Sequence, residues 1–260
     1  MSDQRTLSEV GHSQESCEQC SLFALCFAQD MDSGQREQLN ASVKRQQPLK
    51  RGEHLFHGGQ RMKGVVVLRS GSIKGYDLTQ DGDEIVSGFF LPGDAIGLDS
   101  LSSHAHSGFA EALEDSRYCE IPIRDFERML EESARLNQVM LKLLSEEMAE
   151  TRRLLLVVGR LDAKTRVAMF LLSLSRRLAR RKQDPDRFRL TMDRRDIANY
   201  LGLTIETVSR TLTGFQREGI IEVRGKLVNV LDRDQLVGLA RQALPESDLS
   251  EEARSSQSEC

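Results

Sequence analysis

No run of about 18 uncharged apolar residues occurs in the chain, so no segment is expected to span a membrane. The first residues, MSDQRTLSEVGHSQESCEQC, have neither a basic stretch nor an apolar one, so no secretory signal peptide is expected and a reducing, cytoplasmic setting is predicted. Cysteines there persist as thiols or metal ligands rather than as disulfides. No internal repeat is found. No Ser/His/Asp set, phosphate-cradling loop or catalytic carboxylate pair stands out, so no enzyme is expected.

What remains is the composition of a globular protein. Of 260 residues 39% are apolar and 29% charged, with room for one or two domains. The net charge of −4 hides an asymmetry. Residues 161–231 hold 15 Lys/Arg and 8 Asp/Glu, a net of +7, which leaves −11 on the rest. A basic module on an acidic body suggests contact with a polyanion, although a basic solvated face has the same charge.

The texture of the chain divides it further. Residues 1–30 form an N-terminal segment holding three of the five cysteines, its first 16 residues polar and predicted to be flexible. Residues 31–129 carry short β-like runs broken at Ser70-Gly71, Asp81-Gly82 and Pro92-Gly93, which suggests a small antiparallel barrel or sandwich. Residues 130–159 read as a long helix. Leu141, Leu144, Met148, Thr151, Leu155 and Val158 recur at alternating steps of three and four, the a/d stripe of a dimer seam or of a helix packed on its own domain. Residues 160–231 form a second unit, helical and then β-like. Residues 232–260 are predicted to be a short helix remnant and a disordered acidic tail ending in Cys260.

Cys17, Cys20 and Cys26 stand as C-x2-C-x5-C, and Cys119 is alone in a β-like run. Four thiolates match a cubane iron–sulfur cluster, one per iron. They also match a tetrahedral zinc, although zinc sites usually pair two close-spaced motifs and here the second is missing. Buried thiols without a metal are a third possibility. Leu22, Phe23, Leu25 and Phe27 would keep water away from whatever is held.

The stretch LTMDRRDIANYLGLTIETVSRTLTGFQREGIIEVRGKLVNV reads as helix, turn, helix and wing. Asp193 is placed to cap a first helix ending near Leu201, Gly202 to make the turn and Thr204 to cap a second helix. That helix is expected to bury Ile205, Val208, Leu212 and Phe215. It would present Glu206, Ser209, Arg210 and Thr213, types that suit base edges in a major groove. Gly219 should end it. EVRGKLVNV then folds into a two-stranded wing turning at Gly225, with Arg224 and Lys226 near phosphates. A surface Glu206–Arg210 pair would explain those two residues but not the whole design.

Together these motifs resemble the CRP/FNR superfamily, and within it the oxygen-sensing FNR group, over residues 17 to about 231. Cys17, Cys20, Cys26 and Cys119 stand where that group keeps its cluster ligands. Glu206, Ser209 and Arg210 match its E-x-x-S-R signature. LFHGG, GSIKGYDLTQDGDEIVSGFFLPGD and FAEALEDSRYCEIP are similar to its β-roll. The resemblance implies an α+β fold: a cyclic-nucleotide-binding-like β-roll sensor, a long dimerisation helix and a C-terminal winged helix-turn-helix. It implies a homodimer holding a [4Fe–4S] cluster, binding double-stranded DNA at a TTGAT-N4-ATCAA-like palindrome and switched off by oxygen. The alternatives are a regulator of the same fold that answers nitric oxide or thiol oxidation, and a zinc-stabilised binding module with no sensing role. The resemblance also implies RNA polymerase as a partner, for which the hairpin tip Asp81–Asp83 is a candidate contact, although a plain solvated turn explains that tip equally well. Relatives that bind cyclic nucleotides hold the phosphate with an arginine next to a serine or threonine. Here Ser107 and Gly108 occupy that region, so cAMP is not expected. Several relatives carry an acid in the helix seam where this chain has Thr151. His54 and His57 are predicted to face opposite sides of a strand, and His104 and His106 to lie in a loop. None of the four is expected to bind metal.

Overall fold

A computed structural model describes residues 16–45 and 47–241 of the chain. The expected flexible start, the acidic tail and Cys260 lie outside the described residues. Three 3-10 turns, Cys17–Gln19, Phe23–Leu25 and Phe27–Asp30, lead into helix α1, Ser33–Ser42. This helix was not foreseen. Its signal is a capping box in which Asp32 accepts from Gln35 N and Gln35 reaches back to Asp32 N.

Eight strands follow: β1 Lys44–Arg45, β2 His54–Phe56, β3 Gly64–Ser70, β4 Ile73–Leu78, β5 Glu84–Phe90, β6 Ala95–Ile96, β7 Phe109–Ala112 and β8 Arg117–Pro122. They form two antiparallel four-stranded sheets in the orders β1-β8-β3-β6 and β2-β7-β4-β5, the expected β-roll. The β3–β4 turn needs glycine. Gly71 has φ +87°, and a Cβ there would land on Ser116 Oγ and the Asp115 backbone.

The chain then runs through α2, Ile123–Glu132, and α3, Ala134–Arg160. The sequence read as one continuous helical stretch here, but it breaks at Ser133. That residue is buried with extended φ −130°, and its Oγ accepts from Leu136 N, so it starts α3 at Ala134 rather than at 130. The inner face of α3 buries Leu136 and Met140 against Val65, Val67, Ile121 and Phe126. Full burial of a side chain such as Leu136 contributes about 1.5–3 kcal/mol. Its outer face leaves Leu141 65%, Met148 74% and Leu155 70% exposed, one heptad apart.

The last unit comprises α4 Ala163–Arg180, β9 Arg187–Arg189, α5 Arg194–Leu201, α6 Ile205–Arg217, β10 Ile221–Arg224, β11 Leu227–Val230 and α7 Arg233–Arg241. The predicted wing is β10 and β11, and β9 pairs with β11 as a third, unforeseen strand. Leu236 and Ala240 of α7 are buried in the core built on α4, so the unit runs past residue 231. The β-roll and this unit share one hydrophobic cluster, in which Val86, Phe89 and Leu91 meet Phe170, Ile197 and Leu201.

Candidate metal centre and nucleic-acid interface

The structure brings the four predicted cysteines to one cavity. The 3-10 turns wind Cys17, Cys20 and Cys26 over one face of the β1-β8-β3-β6 sheet, and Cys119 rises from that face. Asn40 of α1 fixes the first turn, its Oδ1 accepting from Cys17 N at 2.7 Å. A capping box between Ser16 and Gln19 closes the same turn. Cys119 sits in mid-strand, opposite Arg45 of β1 on one side and Val67 of β3 on the other. Leu22, Phe23, Val67 and Ile121 complete an apolar wall. Burial pushes the Cys26 thiol up to about 12, against the Ala28 N–H that favours the thiolate. Burial also raises Cys17 and Cys119, while the nearby charges of Arg45 and Arg69 pull both back down. A metal taken up here therefore displaces protons from the thiols. Among the described residues, no three His, Cys, Asp or Glu side chains already converge on a single ion. As a donor set, four thiols lining one shared, largely apolar cavity fit an iron–sulfur cluster, which takes one thiolate per iron.

The segment that carries these cysteines touches both neighbouring parts of the fold. Phe27, Ala28 and Met31 pack with Leu136 and Met140 at the root of α3. The Phe27 and Phe126 rings meet edge to face at 6.2 Å. Leu25 lies against Gly93, next to Asp94, whose carboxylate is held by Arg177 and Arg181.

The second site is the outer face of α6. Asp193 and Asp196 form a full capping box, Gly202 turns the chain at φ +61°, and the Thr204 side chain caps α6 through Thr207 N at 3.2 Å. A side chain at Gly202 would be strained by the left-handed φ and by the 3.1 Å approach of its Cβ to Val158. Arg166 braces the turn by donating to the carbonyls of Leu161, Leu201 and Gly202. Val208, Leu212 and Phe215 are buried as expected, but Ile205 is not. It occupies the first turn of α6, where the helix has already left the core, and is 39% exposed. Thr204, Glu206, Ser209, Arg210 and Thr213 are all exposed on the outer face. Gly219, at φ +72°, follows the C-cap of α6. On the wing, Arg224 is exposed and grips Glu222 at 2.7 Å. Lys226 is half-buried, and its ammonium donates to the Thr191 carbonyl at 2.7 Å, bracing the wing against the lead-in to α5.

Residues 165–239 match the Crp-like helix-turn-helix domain, and residues 46–133 match the cyclic nucleotide-binding domain. The chain is 40% identical over 224 residues to the fumarate and nitrate reduction regulatory protein of Escherichia coli (strain K12), covering 86% of this chain and 90% of that one. It belongs to the CRP/FNR family of transcription regulators. It is also 39% identical to electron transport regulator A of Shewanella oneidensis, over 87% of this chain and 91% of that one. Among solved structures, FixK2 from Bradyrhizobium japonicum superposes with a TM-score of 0.70 at 29% identity, covering 76% of this chain and 96% of that one. A CooA mutant from Carboxydothermus hydrogenoformans shares the fold, with a TM-score of 0.62 at 23% identity, over 77% of this chain and 88% of that one.

Within this CRP/FNR chain two expectations need correcting or extending. His54 and His57 do not face apart. Their rings stack at 4.5 Å because β2 is irregular between His54 and Phe56 and ends there, which turns His57 back. His54 Nε2 is spent on the Tyr76 hydroxyl at 2.8 Å. His104 and His106 do lie in a loop, and His106 stacks on Phe56 at 3.6 Å. The extension is a clamp that sequence reading missed. Lys74 of β4 reaches Glu84 at 2.9 Å, Asp196 of α5 at 3.3 Å and Glu111 at 3.5 Å. Beside it Asn199 of α5 accepts from Val86 N and donates to the Glu84 carbonyl.

Proposed function

We propose that this CRP/FNR regulator is oxygen-responsive, that Cys17, Cys20, Cys26 and Cys119 hold a [4Fe–4S] cluster, and that the cluster-bearing homodimer binds a TTGAT-N4-ATCAA-like palindrome. The observation that carries the reading is the gathering of the four thiols, three from the N-terminal turns and one from mid-strand β8, around one apolar cavity. When bound, such a cluster supplies an oxygen-labile, redox-active centre. The chain's own part is mechanical. Cys119 anchors the cysteine turns to the sheet, and Phe27, Ala28 and Met31 of those turns pack on the root of α3. With the anchor lost, that packing loosens, the α3 seam weakens and operator binding falls. Cyclic nucleotide is not the signal in this reading. Ser107 Oγ already donates to the Asp99 carboxylate at 2.8 Å, and a carboxylate repels a phosphate. RNA polymerase is taken to meet the Asp81–Asp83 tip, which is exposed. Strictly anaerobic purification with visible spectroscopy and iron and sulfide analysis tests the reading. A colourless or zinc-loaded protein would refute it.

Two expected outcomes bear on the dimer and its DNA. Arg210→Ala should cost roughly 1–3 kcal/mol and relax discrimination at one base pair of each half-site. Arg224→Ala should weaken binding evenly across sequences and reduce the salt slope by about 1. Fluorescence anisotropy over a panel of mutated operators at several salt concentrations checks this, and identical profiles for the two variants would reverse the role assignment. For the seam, Leu141, Met148 and Leu155 are fully outward, Val158 and Thr151 are exposed beside them, and Leu144 is half-buried against its own domain. Thr151 adds no charge to the two-fold seam. Thr151→Asp would set like charges together and weaken the cluster-free dimer. Sedimentation of both apo proteins over a concentration series measures this, and equal dissociation constants would place Thr151 outside the seam.

A further inference from the structure

The walls of the thiol cavity are apolar apart from two residues. Arg45 and Arg69 are the charged side chains that line it with the cysteines. Their placement is a product of the sheet. Arg45 is the register partner of Cys119 across the β1–β8 ladder, so the two side chains stand side by side on one face. Arg69 lies on β3, two residues beyond Val67, which is itself opposite Cys119. The β3–β8 register shifts between Leu68 and Ser70, a bulge centred on Arg69, and bulges commonly re-aim a side chain beside a site. Two guanidiniums, permanently charged, thus flank Cys119 in a cavity whose other walls are Leu, Phe, Val and Ile.

Four thiolates on an iron–sulfur core form a net anion, and an anion in an apolar cavity is costly unless a cation stands near. We infer that Arg45 and Arg69 are the counter-charges of the thiolate-bound centre, and that they set how firmly it is held and at what potential it is reduced. This rests on the cluster reading above and adds to it two residues outside the ligand set. Neutralising either arginine leaves the ligands in place but removes the compensating field. The centre should then be held less tightly, and adding an electron to it should be harder.

The test uses full-length protein reconstituted anaerobically with ferrous iron and sulfide. Arg45→Gln, Arg69→Gln and the charge-keeping Arg69→Lys are compared with wild type. Expected are wild-type iron content in all four, loss of the visible band to a chelator about 10-fold to 100-fold faster in the Gln variants, and a lower midpoint potential in both. Arg69→Lys should stay near wild type in rate and potential. If Lys behaves like Gln, the side chain acts through its shape or its hydrogen bonds, and the counter-charge assignment fails. Equal rates and potentials across the series would also overturn it while leaving the cluster reading intact. A wild type that assembles no cluster would overturn the cluster reading first, and this inference with it.

Discussion

Cys119→Ser is expected to leave anaerobically prepared protein colourless, with iron falling from about four atoms per chain to near none. In the proposed reading Cys119 is the ligand that β8 supplies, and the other three come from one short run of turns. Serine is smaller, harder and far less acidic than cysteine, so it replaces the thiol in shape but not as a ligand to iron. The substitution should be nearly silent for the fold. The backbone pairings of residue 119 with Arg45 and Val67 do not depend on the side chain. Thermal unfolding of the apo form should therefore move little, and the loss should appear in the spectrum and in operator affinity together. Cys17→Ser, Cys20→Ser and Cys26→Ser should behave alike, whereas Cys260→Ser should keep full colour and iron. If Cys119→Ser keeps its cluster, β8 is not the anchor and the coupling to α3 fails with it. Iron and sulfide assays on the five variants decide the matter.

The parts that could be read from sequence were those whose physics is local. Capping at Asp193 and Thr204, the left-handed turn at Gly202 and the buried stripe Val208, Leu212 and Phe215 each follow from residue type at fixed spacing. The cysteine spacing likewise singled out Cys17, Cys20 and Cys26, which the fold brings to one cavity with Cys119. What sequence could not show was pairing across the fold. Arg45 becomes a neighbour of Cys119 only when β1 joins β8, 74 positions away in register. Ile205 stays 39% exposed at the start of α6, which periodicity alone cannot reveal. Ser133 looked like one more polar residue in a helical run, until burial and its hydrogen bond to Leu136 N made it a cap. The His54–His57 reading failed because alternation holds only inside a strand, and β2 ends at Phe56.

Lys74→Met is expected to cost about 3 kcal/mol of stability, at the lower end of what removing one partner of a buried ion pair usually costs. The Lys74 side chain is only 7% exposed, and Asp196, on the DNA-reading unit, is 12% exposed. Burial works against the ammonium, yet the hydrogen bond to Glu84 and the charges of Asp196 and Glu111 outweigh it and raise the Lys74 pKa. A raised lysine pKa contributes stability that is complete below the ordinary lysine value and is lost only as pH rises through the higher folded value. The clamp is thus fully charged through neutral pH, and Lys74 itself adds no pH dependence there. Methionine keeps an unbranched stem but loses the ammonium that lies 4.9 Å from the Tyr76 ring centroid, and leaves three carboxylates facing an apolar group. Glu84 is 42% exposed and can turn to water, which limits the penalty. Asp196 cannot, since it also closes the capping box that starts α5. Asp196→Asn in the Lys74→Met background should therefore recover part of the loss, so that the two changes are far from additive. The effect should reach DNA as well. The docked arrangement leaves both the α3 seam and the α6 reading face exposed, so it hides neither interface and is compatible with a DNA-bound dimer. Loosening the β-roll from α5 should then weaken operator binding while leaving iron content unchanged, which separates this variant from Cys119→Ser. Urea unfolding of the two single variants and the double variant, with operator titration of each, measures both effects. Additive stability changes would show that Lys74 and Asp196 do not act as a pair.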